Sequence, residues 1–228
     1  MEMRMRNLVA TGDNGFVAEN LGRQQLRLLA VADKLGKMES LGLRARVVPN
    51  ICSATARQLK ITQLNLQNPI EVMALACRMT FELNLKLRYV MLSDANLDEF
   101  AKRRATDEID LLNAFCELAD SAPQLRNRHR TTLQGRIGEL NQLLEKWGEP
   151  RPSGTGPQVR AMAVATGVIN EYQIFYRFYS KYVHASSWLV NAPYETVDDE
   201  KFRIIFSIHT QLYAGDTCSR AEKLAEPC

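Results

Sequence analysis

The stretch Asn68-Pro69-Ile70-Glu71-Val72-Met-Ala-Leu-Ala-Cys77-Arg78-Met-Thr-Phe81-Glu82-Leu-Asn-Leu-Lys86-Leu-Arg88 decides the fold class. Asn68-Pro69 reads as a helix start, with Asn68 as N-cap and Pro69 in the first turn. No Gly and no further Pro follows as far as Leu92, so a helix over about 69–92 is the natural reading. The run Val72–Cys77 is apolar on nearly every side, which predicts a central helix with neighbours around it. The rest of the chain supplies those neighbours as long charged-apolar stretches with few breakers. Their spacing predicts helices over about 19–37, 50–64, 97–118, 124–147, 159–165, 169–184 and 199–214. The expected fold is all-α: one bundle of about seven or eight helices over residues 19–216, with a loose lead-in at 1–18 and a tail at 217–228. The segment from Gly148 to Pro157 holds three Pro and three Gly. It reads as a surface loop inside that domain, because the later helices need the earlier ones to cover their apolar faces.

Composition agrees with a soluble globular chain: of 228 residues, 46% are hydrophobic and 24% charged. The net charge of +3 neither requires nor excludes a nucleic-acid partner, since a local patch matters more than the sum. The cysteines Cys52, Cys77, Cys116, Cys218 and Cys228 are odd in number and widely spaced. That argues against a disulfide framework and for a reducing compartment. The N-terminus lacks the apolar core of a signal peptide, and no stretch of about 20 residues is free of charge. The expectation is a cytoplasmic protein with no membrane association.

Polar chemistry concentrates in Tyr172-Gln-Ile-Phe-Tyr176-Arg177-Phe178-Tyr179-Ser180-Lys-Tyr182-Val-His184. On a helix, Arg177 and His184 lie about 700° apart, close to two full turns, with Ser180 between them. One face then carries a fixed cation, a hydroxyl and an imidazole, the side chain that titrates near neutral pH. A guanidinium can hold phosphate oxygens, and an imidazole can take or give a proton. Because ribose carries its own 2′-hydroxyl nucleophile, such a pair suits phosphodiester cleavage without a metal. The two Cα atoms are about 10.5 Å apart, so two copies across a dimer make a fuller site than one. The structural alternative is a buried Ser180–His184 hydrogen bond that locks helix packing.

Arg78, Glu82 and Lys86 follow one another at four-residue spacing and interrupt the most apolar helix. A half-buried Glu82 needs a partner, and Arg177 or His184 is the expected one. That pairing would join the two motif helices; an internal ion pair of purely structural value is the alternative. Arg126, Arg128 and Arg130, with His129 and Arg136, form a basic cluster suited to a nucleic-acid backbone or to a solvated helix face. The aromatic set from Tyr172 to Trp188 could stack on bases or simply fill a core.

Other chemistries find little support. His209, Cys218 and Cys228 have eight and nine residues between them, and there is no C-x-x-C, so no metal site is expected. No Gly-rich phosphate loop occurs, and Ser180 lacks the strand–turn–helix setting of a hydrolase nucleophile. No cofactor is expected.

The order Arg78-Met-Thr-Phe81-Glu82, a Pro-rich loop, then Tyr172-x3-Tyr176-Arg177-x2-Ser180-x3-His184 resembles the domain of unknown function 5677 family over roughly residues 20–215. That resemblance carries no activity with it. More loosely, the Arg177–His184 helix is similar to the HEPN ribonuclease motif, an Arg and a His separated by four to six residues. HEPN proteins are all-helical and usually dimeric, and their nucleases cut RNA without metal, often in toxin–antitoxin and antiviral systems. This resemblance implies His184 as the proton-transfer residue, Arg177 as the phosphate binder, Tyr176 and Ser180 as supports, and Arg78 and Glu82 behind them. It further implies RNA as the partner, a homodimer, and an antitoxin or regulatory partner. Phe178 stands where HEPN motifs carry a polar residue. The leading expectation is a metal-independent endoribonuclease. A non-catalytic interaction module and a small-ligand sensor are the alternatives.

Overall fold

The computed structural model of the chain describes residues 9–121, 128–147, 157–184, 190 and 199–226. The helices are α1 (Asn14–Gly36), α2 (Arg44–Leu64), α3 (Ile70–Val90), α4 (Asp94–Ser121), α5 (Arg128–Lys146) and α6 (Val159–Ala165). Then comes α7, a continuous run made of Ile169–Glu171, a π-helical stretch Tyr172–Tyr176 and Arg177–Val183. The last helix is α8 (Asp199–Leu224). With α7 counted once, the described residues hold eight helices and no strand, so the chain is all-α. Among them no helix is long and apolar enough to cross a membrane.

The chain falls into two compact units: residues 1–92 with 159–228, and residues 93–158. In the first, α3 is the central helix, packed against α2, α6, α7 and α8. Ile70, Met73, Ala74, Cys77, Phe81 and Leu85 are buried on it, and so are Ala76, Leu87 and Val90 on other sides. The apolar run predicts this central place, but Leu75 within it is 45% exposed, so one side of the helix stays open. Arg78 and Glu82 occupy the sector of α3 that remains half-buried. On α1, Leu21, Leu28 and Leu35 repeat every seven residues and are fully buried. Truncating Leu28 to Ala costs about 2–5 kcal/mol by the usual scale for core leucines.

Several boundaries differ from the sequence reading. Asn68 does not cap α3; its amide donates to Leu64 O (3.3 Å) and Asn65 Oδ1 (2.9 Å), closing the end of α2. Pro69 takes the N-cap position instead. Helix α2 begins at Arg44, with Pro49 inside it, rather than after Pro49. As the sixth residue of the helix Pro49 removes one ladder bond, and burial of Val47, Val48, Ile51 and Cys52 around it offsets that loss. Helix α4 begins at Asp94 rather than near Leu97, with Ser93 Oγ accepting from the Asn96 N–H at 3.1 Å just before it.

At the N-terminal end, α1 starts at Asn14 behind an Asp13 cap (Gly15 N–H to Oδ1, 2.8 Å). Buried Gln211 of α8 ties the preceding residues down. Its Oε1 accepts from Ala10 N (2.8 Å) and Asn20 Nδ2 (2.6 Å), and its Nε2 donates to Ala10 O (3.1 Å). Helix α8 runs on to Leu224 instead of ending near Ala214. The sequence Gly215-Asp-Thr-Cys-Ser is a poor helix former. Tertiary burial of Thr217, Cys218, Ala221 and Ala225 overrides that propensity.

The second unit is the hairpin α4–α5. Ala105 and Ile109 of α4 meet Leu140 and Leu144 of α5, flanked by Leu112 and Ile137. Arg136 donates to Glu108 Oε1 and Glu139 Oε2, both at 2.9 Å. Of the basic cluster, Arg126 and the side chain of Arg128 lie outside the described residues. Arg130 is half-buried and His129 exposed. The loop 148–156 and Trp188 also lie outside them.

Candidate functional site

The two motif helices meet. Gly167, at φ 74°, ends α6 and lets Val168 N–H reach back to Ala163 O (2.9 Å). This left-handed turn, which favours Gly, redirects the chain into α7. In α7 the π stretch opens the helix by one residue, a deformation often found at functional positions. It leaves Tyr172 and Tyr176 stacked at 5.0 Å with rings 20° apart. The helix ends at Val183, and His184 turns out of it into extended backbone. Its ring there reaches α3.

Arg78 is the hub. Its Nε donates to Glu82 Oε1 (3.1 Å), Nη1 to His184 Nε2 (2.7 Å) and Nη2 to the Tyr176 hydroxyl (2.7 Å). Tyr176 donates in turn to Glu82 Oε1 (3.0 Å), and the guanidinium lies 4.8 Å from the centre of its ring. The Arg78 and Glu82 side chains are only 18% and 15% exposed, so this pair is far better shielded than a surface ion pair. His184, by contrast, is exposed. A guanidinium has no lone pair to offer, so His184 Nε2 accepts and the neutral ring carries its proton on Nδ1. Burial and the charge of Glu82 push the Tyr176 phenol up, with Arg78 pulling the other way, so the hydroxyl stays protonated as a donor. Each terminal nitrogen of Arg78 has spent one N–H. Its second N–H has no partner among the described residues.

The sequence-predicted residues separate accordingly. Arg78, Glu82, Tyr176 and His184 come together. The expected link between the motif helices exists, but its partners differ: Glu82 takes Arg78 and Tyr176, and His184 takes Arg78. The Ser180 hydroxyl does not bond the His184 ring; it donates to Tyr176 O at 2.8 Å, four residues back. The two residues share only the backbone bond from His184 N–H to Ser180 O (3.2 Å). The Ser–His lock is therefore absent, because His184 leaves the helix one turn after Ser180. Arg177 is exposed and has no hydrogen bond or ion pair among the described residues.

Two further polar groups went unread in the sequence. Asp216 Oδ2 of α8 accepts from Asn84 Nδ2 (2.8 Å), Arg88 Nη2 (2.9 Å) and Arg220 Nε (2.8 Å). Burial alone would push this carboxyl up. Hydrogen bonds from Arg220 and Asn84, with the Arg88 charge, hold it below the usual carboxylate value. His209 Nδ1 lies 2.6 Å from the hydroxyl of fully buried Tyr179, and the ring of Phe175 packs edge-on 4.3 Å from the imidazole. Burial pushes His209 down. The i,i+4 pairs Asn84/Arg88 and Asp216/Arg220 are visible in the sequence. Their meeting across 128 residues is not.

The fold and this cluster define an all-helical protein with a cation-backed, exposed histidine between two helices. The model of a family of unknown function, DUF5677, matches residues 61–202, well over half of the chain. The chain belongs to that family. No curated protein and no solved structure matches it.

Proposed function

We propose that the protein is a metal-independent endoribonuclease centred on His184 and Arg78. One observation carries the reading: an exposed imidazole lies 2.7 Å from a guanidinium whose two terminal nitrogens each keep a second N–H without a partner among the described residues. Those groups suit two oxygens of a phosphodiester. In the reaction the ribose 2′-oxygen attacks phosphorus, the bond to the 5′-oxygen breaks, and a 2′,3′-cyclic phosphate and a 5′-hydroxyl result. Once the phosphate draws Arg78 onto its oxygens, the freed Nε2 of His184 takes the 2′-hydroxyl proton. The ring returns a proton to the leaving 5′-oxygen, while Arg78 neutralises the charge that builds on the phosphoryl oxygens. Glu82 and Tyr176 hold Arg78 in place. Arg177 is a surface cation for a neighbouring phosphate, from the same chain or from a second copy in a homodimer. The looser resemblance to HEPN ribonucleases supports this role for His184 and suggests a setting in bacterial defence with an antitoxin or regulatory partner.

A second reading has its own support. One guanidinium ties α3 to α7 through Tyr176 and His184, which fits a purely structural clamp in an interaction module. Purified wild type and His184→Ala, incubated with a mixed RNA pool in EDTA, separate the two. Cleavage by the wild type alone, with cyclic phosphate ends and matched melting temperatures, supports the ribonuclease. Inactivity of both proteins, with a lower melting temperature for the variant, supports the clamp.

A further inference from the structure

Tyr172 is a side chain that the proposed chemistry leaves unused. The other rings of α7 are locked into packing: Phe178 meets Tyr182, Phe202 and Phe206 at 5.2–5.6 Å, and Tyr179 is fully buried. Tyr172 is only half-buried, and its hydroxyl makes no hydrogen bond among the described residues. It stacks in near-parallel fashion on Tyr176, whose ring lies against the Arg78 guanidinium, and Arg78 touches His184. A near-parallel aromatic pair, backed by a cation and leading to the exposed histidine, is a platform for a further flat ring. Bases in a duplex are stacked on one another and present only their edges, whereas an unpaired base presents its face.

We infer that the substrate is single-stranded RNA, and that Tyr172 stacks an unpaired base close to the cleaved phosphodiester. This rests on the ribonuclease reading and adds a strand preference to it. Stacking on an aromatic side chain tolerates any base, so the preference is for single strands rather than for one sequence. The exposed Arg177, five residues on in the same helix, is placed to follow the backbone of such a strand.

The test uses the full chain carrying His184→Ala, so that RNA is bound without being cut. A short labelled single strand and the duplex of the same sequence are titrated in EDTA, followed by fluorescence anisotropy. The single strand is expected to bind about tenfold more tightly or better. In the same background Tyr172→Leu, which keeps apolar bulk against Tyr176, is expected to lose about tenfold in single-strand affinity with duplex binding unmoved. Tyr172→Phe is expected to bind like the parent, since the ring and not the hydroxyl does the stacking. Equal affinity for strand and duplex overturns the inference, and so does Tyr172→Leu binding like the parent or Tyr172→Phe failing like Tyr172→Leu. If the protein with native His184 still cleaves RNA in any of those cases, the ribonuclease reading survives alone. If it neither binds nor cleaves RNA, both fall together.

Discussion

Helix α3 contributes to two polar groups of opposite character, one centred on Asp216 of α8 and one on its own Arg78. Around Asp216, three donors from Asn84, Arg88 and Arg220 converge on one carboxylate oxygen. Charge and hydrogen bonds there are spent inside the protein. Around Arg78 the partners are also internal, but one of them is an exposed histidine and the guanidinium keeps N–H groups to spare. The first group is built to hold α3 against α8. The second joins α3 to α7 and still leaves reactive atoms at the surface. The same residue types on one helix thus divide by whether the hydrogen-bonding capacity closes on itself.

The largest expected effect tests the open group. His184→Ala is expected to lower RNA cleavage by about 10²-fold or more, the scale of a lost general acid or base. Its melting temperature should stay near wild type, because an exposed ring is removed while Arg78 keeps Glu82 and Tyr176. A steep drop in stability with no cleavage to lose would make the two groups alike and break the contrast.

The closed group should show the reverse pattern. Asp216→Ala removes the carboxylate shared by the Arg88 and Arg220 guanidinium groups, while the Asn84 amide keeps Thr217 Oγ1 (3.1 Å) as an acceptor. A loss of about 2–3 kcal/mol in urea unfolding is expected, in the range for hydrogen bonds to charged groups, with RNA cleavage per folded molecule unchanged. Acid sharpens the point without mutation. The Asp216 carboxyl is held below its ordinary value of 3.8, so the folded state favours the ionised form. Its contribution is complete above that value and is lost as pH falls further, through the folded-state value. Wild type should therefore lose an increment of stability below about pH 4 that Asp216→Ala lacks, measured as the difference between their unfolding free energies against pH.

How far each group was readable follows from where its partners lie. The all-α class was legible because α3 is apolar on most sides, and the meeting of α3 with α7 was legible because Glu82 sits in that helix and requires company. What stayed hidden depends on geometry beyond helical periodicity. Treating residues 169–184 as one ideal helix puts Arg177, Ser180 and His184 on a stripe. The extended backbone at His184 breaks that stripe at its far end, sending the imidazole to Arg78 while Arg177 stays in solvent. The end of α8 was hidden for another reason. Its residues after Ala214 have low helix propensity, and only burial against neighbouring helices keeps them helical. Asp216 lies in that very segment, so the closed group could not be placed.

The smallest expected effect falls on Ser180, which the stripe placed between the cation and the imidazole. Its hydroxyl bonds the carbonyl of Tyr176 in its own helix and touches neither Arg78 nor His184. Such a bond to the residue four back competes with the helix ladder and adds little to stability. Ser180→Ala should change unfolding free energy by no more than about 0.5 kcal/mol, the range of a substitution away from any special feature. RNA cleavage should stay within about twofold of wild type, since no proton or charge passes through this hydroxyl. A loss of cleavage like that of His184→Ala, at unchanged stability, would mean that Ser180 reaches the substrate, and the open group would then extend a full turn back along α7.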